Sequence, residues 1–307
     1  MNTVIRTLGI AAALWLLLAP GFAAAQEERS PEDNFRKAND LFVQGEYREA
    51  VALYRAAIEQ RDDFKEAWYN LGAAYGQLRQ YDKEKDAYHK ALALDPTYAR
   101  AHYNLALALE DEGQYEEAIA AYRKTLEHEP EALDALVNQG ILLARMERLD
   151  EAVAAYTKAL TLTRDVPDIH YNLGIAYGKM AEKTEDAAAK EALIRKEVAA
   201  YEAALERRPS FYKASYNLAL AWHKLGDLPK EIEALERSVE LKSRYPEALY
   251  NLAYAYEEAG TLDKALDAWG RYVEIAGQLE SEKPFVEVGQ KEMARIKGEI
   301  EKKDKPE

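Results

Sequence analysis

Cysteine is absent from the 307 residues, which removes both a disulfide framework and a thiolate metal site. Histidine is scarce: His89, His102, His128, His170 and His223 show no His-x-x-x-His spacing, so the usual helical zinc motif is missing. No Gly-rich phosphate loop and no Gly-x-Ser-x-Gly elbow occurs. Glycine is sparse, with 15 residues, and the period-two alternation of a half-buried strand is not seen. These absences predict an all-α chain that is not an enzyme and carries no cofactor or metal.

Positive charge is also short. Lys and Arg number 41 against 55 Asp and Glu, a net charge of −14. Phosphate backbones and anionic lipid repel such a chain, so nucleic acid and membrane surfaces are poor partners. The one long apolar run sits at the N-terminus, where Arg6 precedes Leu8 to Leu18, Pro20-Gly21 and Ala23-Ala24-Ala25. Basic, apolar and small-x-small segments in that order predict a secretory signal over 1–25, cleaved after Ala25. The run falls short of the ~20 residues that a membrane span needs. With no Cys beside the site, a bacterial lipid anchor has no acceptor. The expected location is the periplasm, with secretion or an uncleaved N-terminal anchor as alternatives. A mature chain starting at Gln26 would carry 40 basic and 55 acidic residues, a net charge of −15.

What the sequence does have is a repeat. Small residues at Ala38, Gly72, Ala106, Gly140 and Gly174 follow at intervals of 34; after one interval of 45 come Ala219 and, 34 later, Ala253. That period marks stacked helix–turn–helix units. With Trp68-Tyr69-Asn70-Leu71-Gly72-Ala73-Ala74-Tyr75 answered by Tyr81, Tyr88, Ala91 and Pro96, the pattern resembles the tetratricopeptide repeat. The resemblance implies a right-handed superhelical solenoid of helix pairs whose first helices line a concave groove. Residues 26–279 divide into seven units, 31–64, 65–98, 99–132, 133–166, 167–211, 212–245 and 246–279, with a capping helix and tail over 280–307. The small markers are expected to let helix backbones approach, with aromatic residues filling the wider gaps.

Unit five is longer than the rest. Gly174 to Tyr201 spans 27 residues, where Gly72 to Tyr88 spans 16. The extra 11 residues equal about three helical turns, and Ala187-Ala188-Ala189-Lys190-Glu191-Ala192-Leu193 has high helix propensity. The expectation is a helix pair lengthened by whole turns and projecting from one edge of the stack.

Candidate site residues lie on the first helices. Two positions before the marker stand Asn70, Asn104, Asn138, Asn172, Asn217 and Asn251; one earlier stand Phe35, Tyr69, Tyr103, Val137, Tyr171, Tyr216 and Tyr250. By the resemblance, both slots face the groove. An Asn amide presents a donor and an acceptor that match a peptide backbone, and the Tyr rings add apolar area. Seven residues after each Asn, on the same helical face, come Gln77, Asp111, Arg145, Lys179, Lys224 and Glu258. This basic centre between acidic flanks suits an acidic peptide.

The family's carboxylate-clamp subgroup offers a comparison. Asn39, Asn70 and Arg100 fill three of its five slots, but Phe35 and Asn104 replace two bases, so that specific activity is not expected. A second departure is Glu84, Glu197 and Glu231, where the family usually places Ala; the stem is expected to pack while the carboxylate reaches water or a neighbouring base. The leading functional expectation is a protein–protein interaction scaffold that holds a peptide. The alternative is a self-assembling structural subunit.

Overall fold

The computed structural model describes residues 29–280 and 283–303. The predicted export segment and the Ser281-Glu282 start of the cap lie outside these residues. The described residues form fifteen α-helices and no strand. They pair in sequence: α1 (Pro31–Val43) with α2 (Tyr47–Gln60), α3 (Lys65–Gln77) with α4 (Tyr81–Leu94), and α5 (Ala99–Asp111) with α6 (Tyr115–His128). Then follow α7 (Leu133–Arg145) with α8 (Leu149–Leu162), α9 (Pro167–Lys183) with α10 (Ala187–Arg207), α11 (Tyr212–Leu225) with α12 (Leu228–Leu241), and α13 (Pro246–Glu258) with α14 (Leu262–Ala276). The last, α15 (Lys283–Lys303), packs on α14 with Ile296 fully buried.

Each helix packs on the one before it and the one after it, the arrangement of a solenoid. Odd-numbered helices of successive pairs also approach each other (α1 with α3, α3 with α5, α7 with α9). That closer approach puts them on the inner, concave side.

Local sequence explains where the helices start and turn. Ser30 Oγ accepts from the Asp33 N–H at 3.1 Å, and Pro31 fills the first helical position. Inside most pairs the turn places one residue at positive φ: Gly45, Gly113, Gly226 and Gly260, but Arg79 (φ 56°) and Glu147 (φ 60°) in units two and four. Only glycine takes that conformation without steric cost.

The marker residues correct one expectation. A Cβ on Gly72, Gly140 or Gly174 would lie 2.6, 2.6 and 2.5 Å from the rings of Tyr88, Tyr156 and Tyr201. What each glycine admits is therefore the second-helix tyrosine, laid over the first helix, and not a neighbouring backbone. Tyr54, Tyr88, Tyr122, Tyr156 and Tyr201 are all 2 % exposed or less.

The unit-five insertion goes wholly into helix. α9 has 17 residues and α10 has 21, where α7 and α8 have 13 and 14. The surplus is four on one helix and seven on the other, about one turn and two turns. The packing faces stay in phase, so Ala181 and Ile194 are buried while 185–192 are exposed. Asp186 caps the return helix, its Oδ1 accepting from Ala189 N–H at 2.7 Å.

Candidate functional site

The Asn and Tyr rows fall together on the odd-numbered helices, and they are bonded to each other. Asn104 Nδ2 donates to Tyr69 Oη at 2.9 Å, Asn138 to Tyr103 at 3.2 Å, Asn217 to Tyr171 at 3.3 Å and Asn251 to Tyr216 at 3.0 Å. Each bond spans two consecutive units. In unit one Phe35 offers no hydroxyl, and Asn70 donates instead to Asn39 Oδ1 at 2.8 Å, which also accepts from Tyr54 at 2.7 Å. So Asn39 and Asn70, the clamp-like pair, belong to this ladder.

The expected row of open amides is therefore corrected. Most of these Asn side chains are half-buried and donate to the preceding unit through Nδ2. Tyr250, last in its row, meets Tyr254, Trp269 and Tyr272 at ring distances of 5.0, 5.2 and 5.4 Å.

Asn172 differs. The preceding slot is Val137, and the Asn172 amide has no hydrogen-bond partner among the described residues. The tyrosine beside it is equally unsupported. Tyr54 bonds Asn39, Tyr88 donates to Glu84 at 3.4 Å, Tyr122 to Glu110 at 3.1 Å, and Tyr201 lies 3.5 Å from Asn217 Nδ2. Tyr156 has no such contact among the described residues, and burial alone pushes its hydroxyl pKa up.

The basic stripe is neutralised from within. Lys179 Nζ lies 2.6 Å from Glu147 Oε1, and Lys183 lies 2.9 Å from the other oxygen. These two bases hold the Glu147 carboxyl well down, to about 2. Lys224 sits 3.1 Å from Glu197, whose side chain is only 5 % exposed. Arg145 has no ion pair among the described residues and lies over the Tyr115 ring at 4.4 Å. The predicted attraction for an acidic ligand is largely spent between units, because stacking puts each of these lysines against a carboxylate of the unit before it.

The unusual glutamates complete that picture. Glu84 and Glu197 lie over Gly76 and Gly178, where a Cβ would meet their carboxylates at 2.5 and 2.6 Å. Burial, with Asp111 and Glu112 of the next unit nearby, pushes the Glu84 carboxyl up to about 7. Glu231 bonds His223 Nδ1 at 3.0 Å. With Tyr254, Asn251, Glu257 and Glu258, these two line an acidic hollow of about 480 Å³ at the C-terminal end of the row. Another cleft, about 680 Å³, lies between α2 and α4 over Trp68, Leu71 and Tyr75, and none of the Asn row lines it.

Among the described residues no group of His, Asp and Glu is placed to hold a metal ion, and no helix is long and apolar enough to cross a membrane. Glu147, paired with Lys179 and Lys183, and Tyr156, laid over Gly140, are positions beside the row that sequence reasoning does not single out as site residues. The one visible signal is Val137, in a row otherwise aromatic.

Comparison with known proteins agrees with the geometry. Profiles described as tetratricopeptide repeat match residues 103–168, 137–196, 198–246, 233–279 and 66–98, and one described as TPR repeat matches 38–78. Among curated proteins, the BBSome complex member BBS4 of Bos taurus is 36 % identical over 64 residues, 20 % of this chain and 12 % of that protein. Among solved structures, the C-terminal part of a TPR repeat-containing protein from Cytophaga hutchinsonii superposes with a TM-score of 0.67. It is 19 % identical, over 81 % of this chain and 98 % of the other. YrrB, described as a TPR protein with an unusual peptide-binding site, gives 0.56 at 20 % identity, over 64 % and 96 %. MamA gives 0.52 at 22 % identity, over 57 % and 95 %. At these identities the likeness carries the fold alone.

Proposed function

Since the chain belongs to the tetratricopeptide-repeat family, we propose that it is a non-enzymatic scaffold holding an extended peptide segment of a protein partner in its concave groove. The observation that carries this reading is the ladder itself. Asn carbonyl oxygens recur along the inner side, fixed in direction by the bonds their amides make to Tyr hydroxyls, with Tyr faces between them. A preorganised row loses little entropy when a ligand binds, and carbonyl acceptors suit the N–H groups of an extended peptide whatever its sequence. With Lys179 and Lys224 paired internally, a preference for acidic ligands loses its support.

The test is selection of binders from a random dodecapeptide library, followed by photo-crosslinking of the best peptide and mapping by mass spectrometry. Crosslinks on α3 to α13, confined to odd-numbered helices, are expected. Crosslinks only on even-numbered helices or on 185–192 would overturn the groove reading. A second reading, self-assembly, is favoured by the exposed 185–192 tip; a monomer by light scattering at micromolar concentration removes it. Export is proposed from sequence, on Arg6, Leu8 to Leu18 and Ala23 to Ala25. Native protein should begin at Gln26 by mass spectrometry, and a protein retaining Met1 would contradict it.

A further inference from the structure

The ladder is left open once, between units four and five, and three observations meet there. Val137 has no hydroxyl to engage the next unit. Asn172, half-buried on α9, keeps both its amide donor and its carbonyl acceptor unpartnered among the described residues. Tyr156, 1 % exposed, has a hydroxyl without a partner, although the equivalent tyrosines of the other units named above all find one. Neither group is sealed off: among the described residues the one buried side-chain N or O atom without a partner is His170 Nε2, so the Tyr156 hydroxyl and the Asn172 amide stand open to solvent and to a ligand. At the other break, in unit one, Asn39 fills the gap left by Phe35. The position equivalent to Asn39 in unit four is Ile141, which stands 40 % exposed. Val137 and Ile141, four apart on α7, form one apolar face beside the open amide.

We propose that this seam is where the ligand is anchored, an inference that rests on the peptide-in-groove reading and adds a place and a residue preference to it. A backbone N–H of the bound segment donates to Asn172 Oδ1, and a backbone carbonyl accepts from Asn172 Nδ2. The Tyr156 hydroxyl bonds a second backbone group, and an aliphatic residue of the ligand covers Val137 and Ile141. The remaining Asn residues each spend at least one Nδ2 hydrogen on a neighbouring group and guide the peptide without clamping it. Asn172 is thus the one amide of the row that commits nothing inside the protein.

The test uses the best dodecapeptide from the library, labelled for fluorescence anisotropy, against the full protein from Gln26. Losing two ligand bonds in Asn172→Ala should weaken binding about tenfold or more with the melting temperature unchanged. Val137→Tyr and Ile141→Asn each give Asn172 an internal partner, so both should weaken binding while holding or raising the melting temperature. Asn104→Ala, which loses one ligand acceptor and an internal bond, should lower stability and weaken binding by a clearly smaller factor than Asn172→Ala. Selected peptides should share an aliphatic position. Equal losses of affinity for Asn104→Ala and Asn172→Ala, with crosslinks still in the groove, would overturn the anchor and leave the groove reading standing. Crosslinks elsewhere, or no selected binder, would overturn both.

Discussion

Units two and five share the same unusual interior and differ in their surroundings. Each has a glycine marker under a buried tyrosine, and each has a second glycine under a glutamate: Gly76 with Glu84, Gly178 with Glu197. The nearest packing distances, 2.6 against 2.5 Å and 2.5 against 2.6 Å, agree closely. The electrostatics do not. Glu84 looks across to Asp111 and Glu112 of unit three, and its carboxyl is pushed up to about 7. Glu197 looks across to Lys224 of unit six, which opposes the upward push of burial. The difference teaches that in a solenoid the repeat's own sequence sets its packing, while the next repeat sets its charge state.

Breaking the Glu197–Lys224 pair should give the largest effect. Lys224→Ala strands a carboxylate that is 5 % exposed, and removing one partner of a buried pair costs ~2–4 kcal/mol. Urea unfolding should show that loss at neutral pH. It should shrink as pH falls, because a protonated Glu197 needs no base.

Packing is where the two units should behave alike. Gly72→Leu and Gly174→Leu both drive a side chain into a tyrosine ring and should each cost ~1–3 kcal/mol. Ala at either site should cost less, since Ala106 already sits at the marker slot of unit three, where Tyr122 is buried. Unequal costs for the two leucine variants would break the equivalence.

The Glu84 side of the comparison has a pH signature. Its folded pKa of about 7 lies above the ordinary 4.5, so its contribution is fully present below about pH 4.5 and is lost as pH rises through 7. Glu84→Gln should therefore raise stability by ~1–2 kcal/mol near pH 8 and by nothing in acid, allowing for its partial exposure. Asp111→Lys, which copies the base of unit six, should bring the Glu84 pKa down by NMR titration.

Smallest are the turns. Arg79→Gly removes a left-handed non-glycine residue and should gain ~1 kcal/mol. Glu147→Gly relieves the same strain but loses the pairs with Lys179 and Lys183, so its gain should be smaller; equal gains would mean those exposed pairs contribute nothing.

The repeat register, the helix pairing and the whole-turn insertion were legible in the sequence because each depends on contacts within one unit. Eleven extra residues keep a 3.6-residue stripe in phase because their shares on the two helices, four and seven, are each close to whole turns, and the marker spacing fixes which tyrosine meets which glycine. The site was legible only as a row of residue types. Asn104, Asn138, Asn217 and Asn251 read as open amides, and Lys179 and Lys224 as free bases, until stacking supplied the partners. Those partners lie 27 to 46 residues away, on a neighbouring helix pair, and no local pattern says which carboxylate or hydroxyl the rotation between units will bring within about 3 Å. For the same reason Val137 looked like an ordinary exception in a tyrosine row. Only the tertiary structure made it a gap, by leaving Asn172 and Tyr156 beside it with no partner among the described residues.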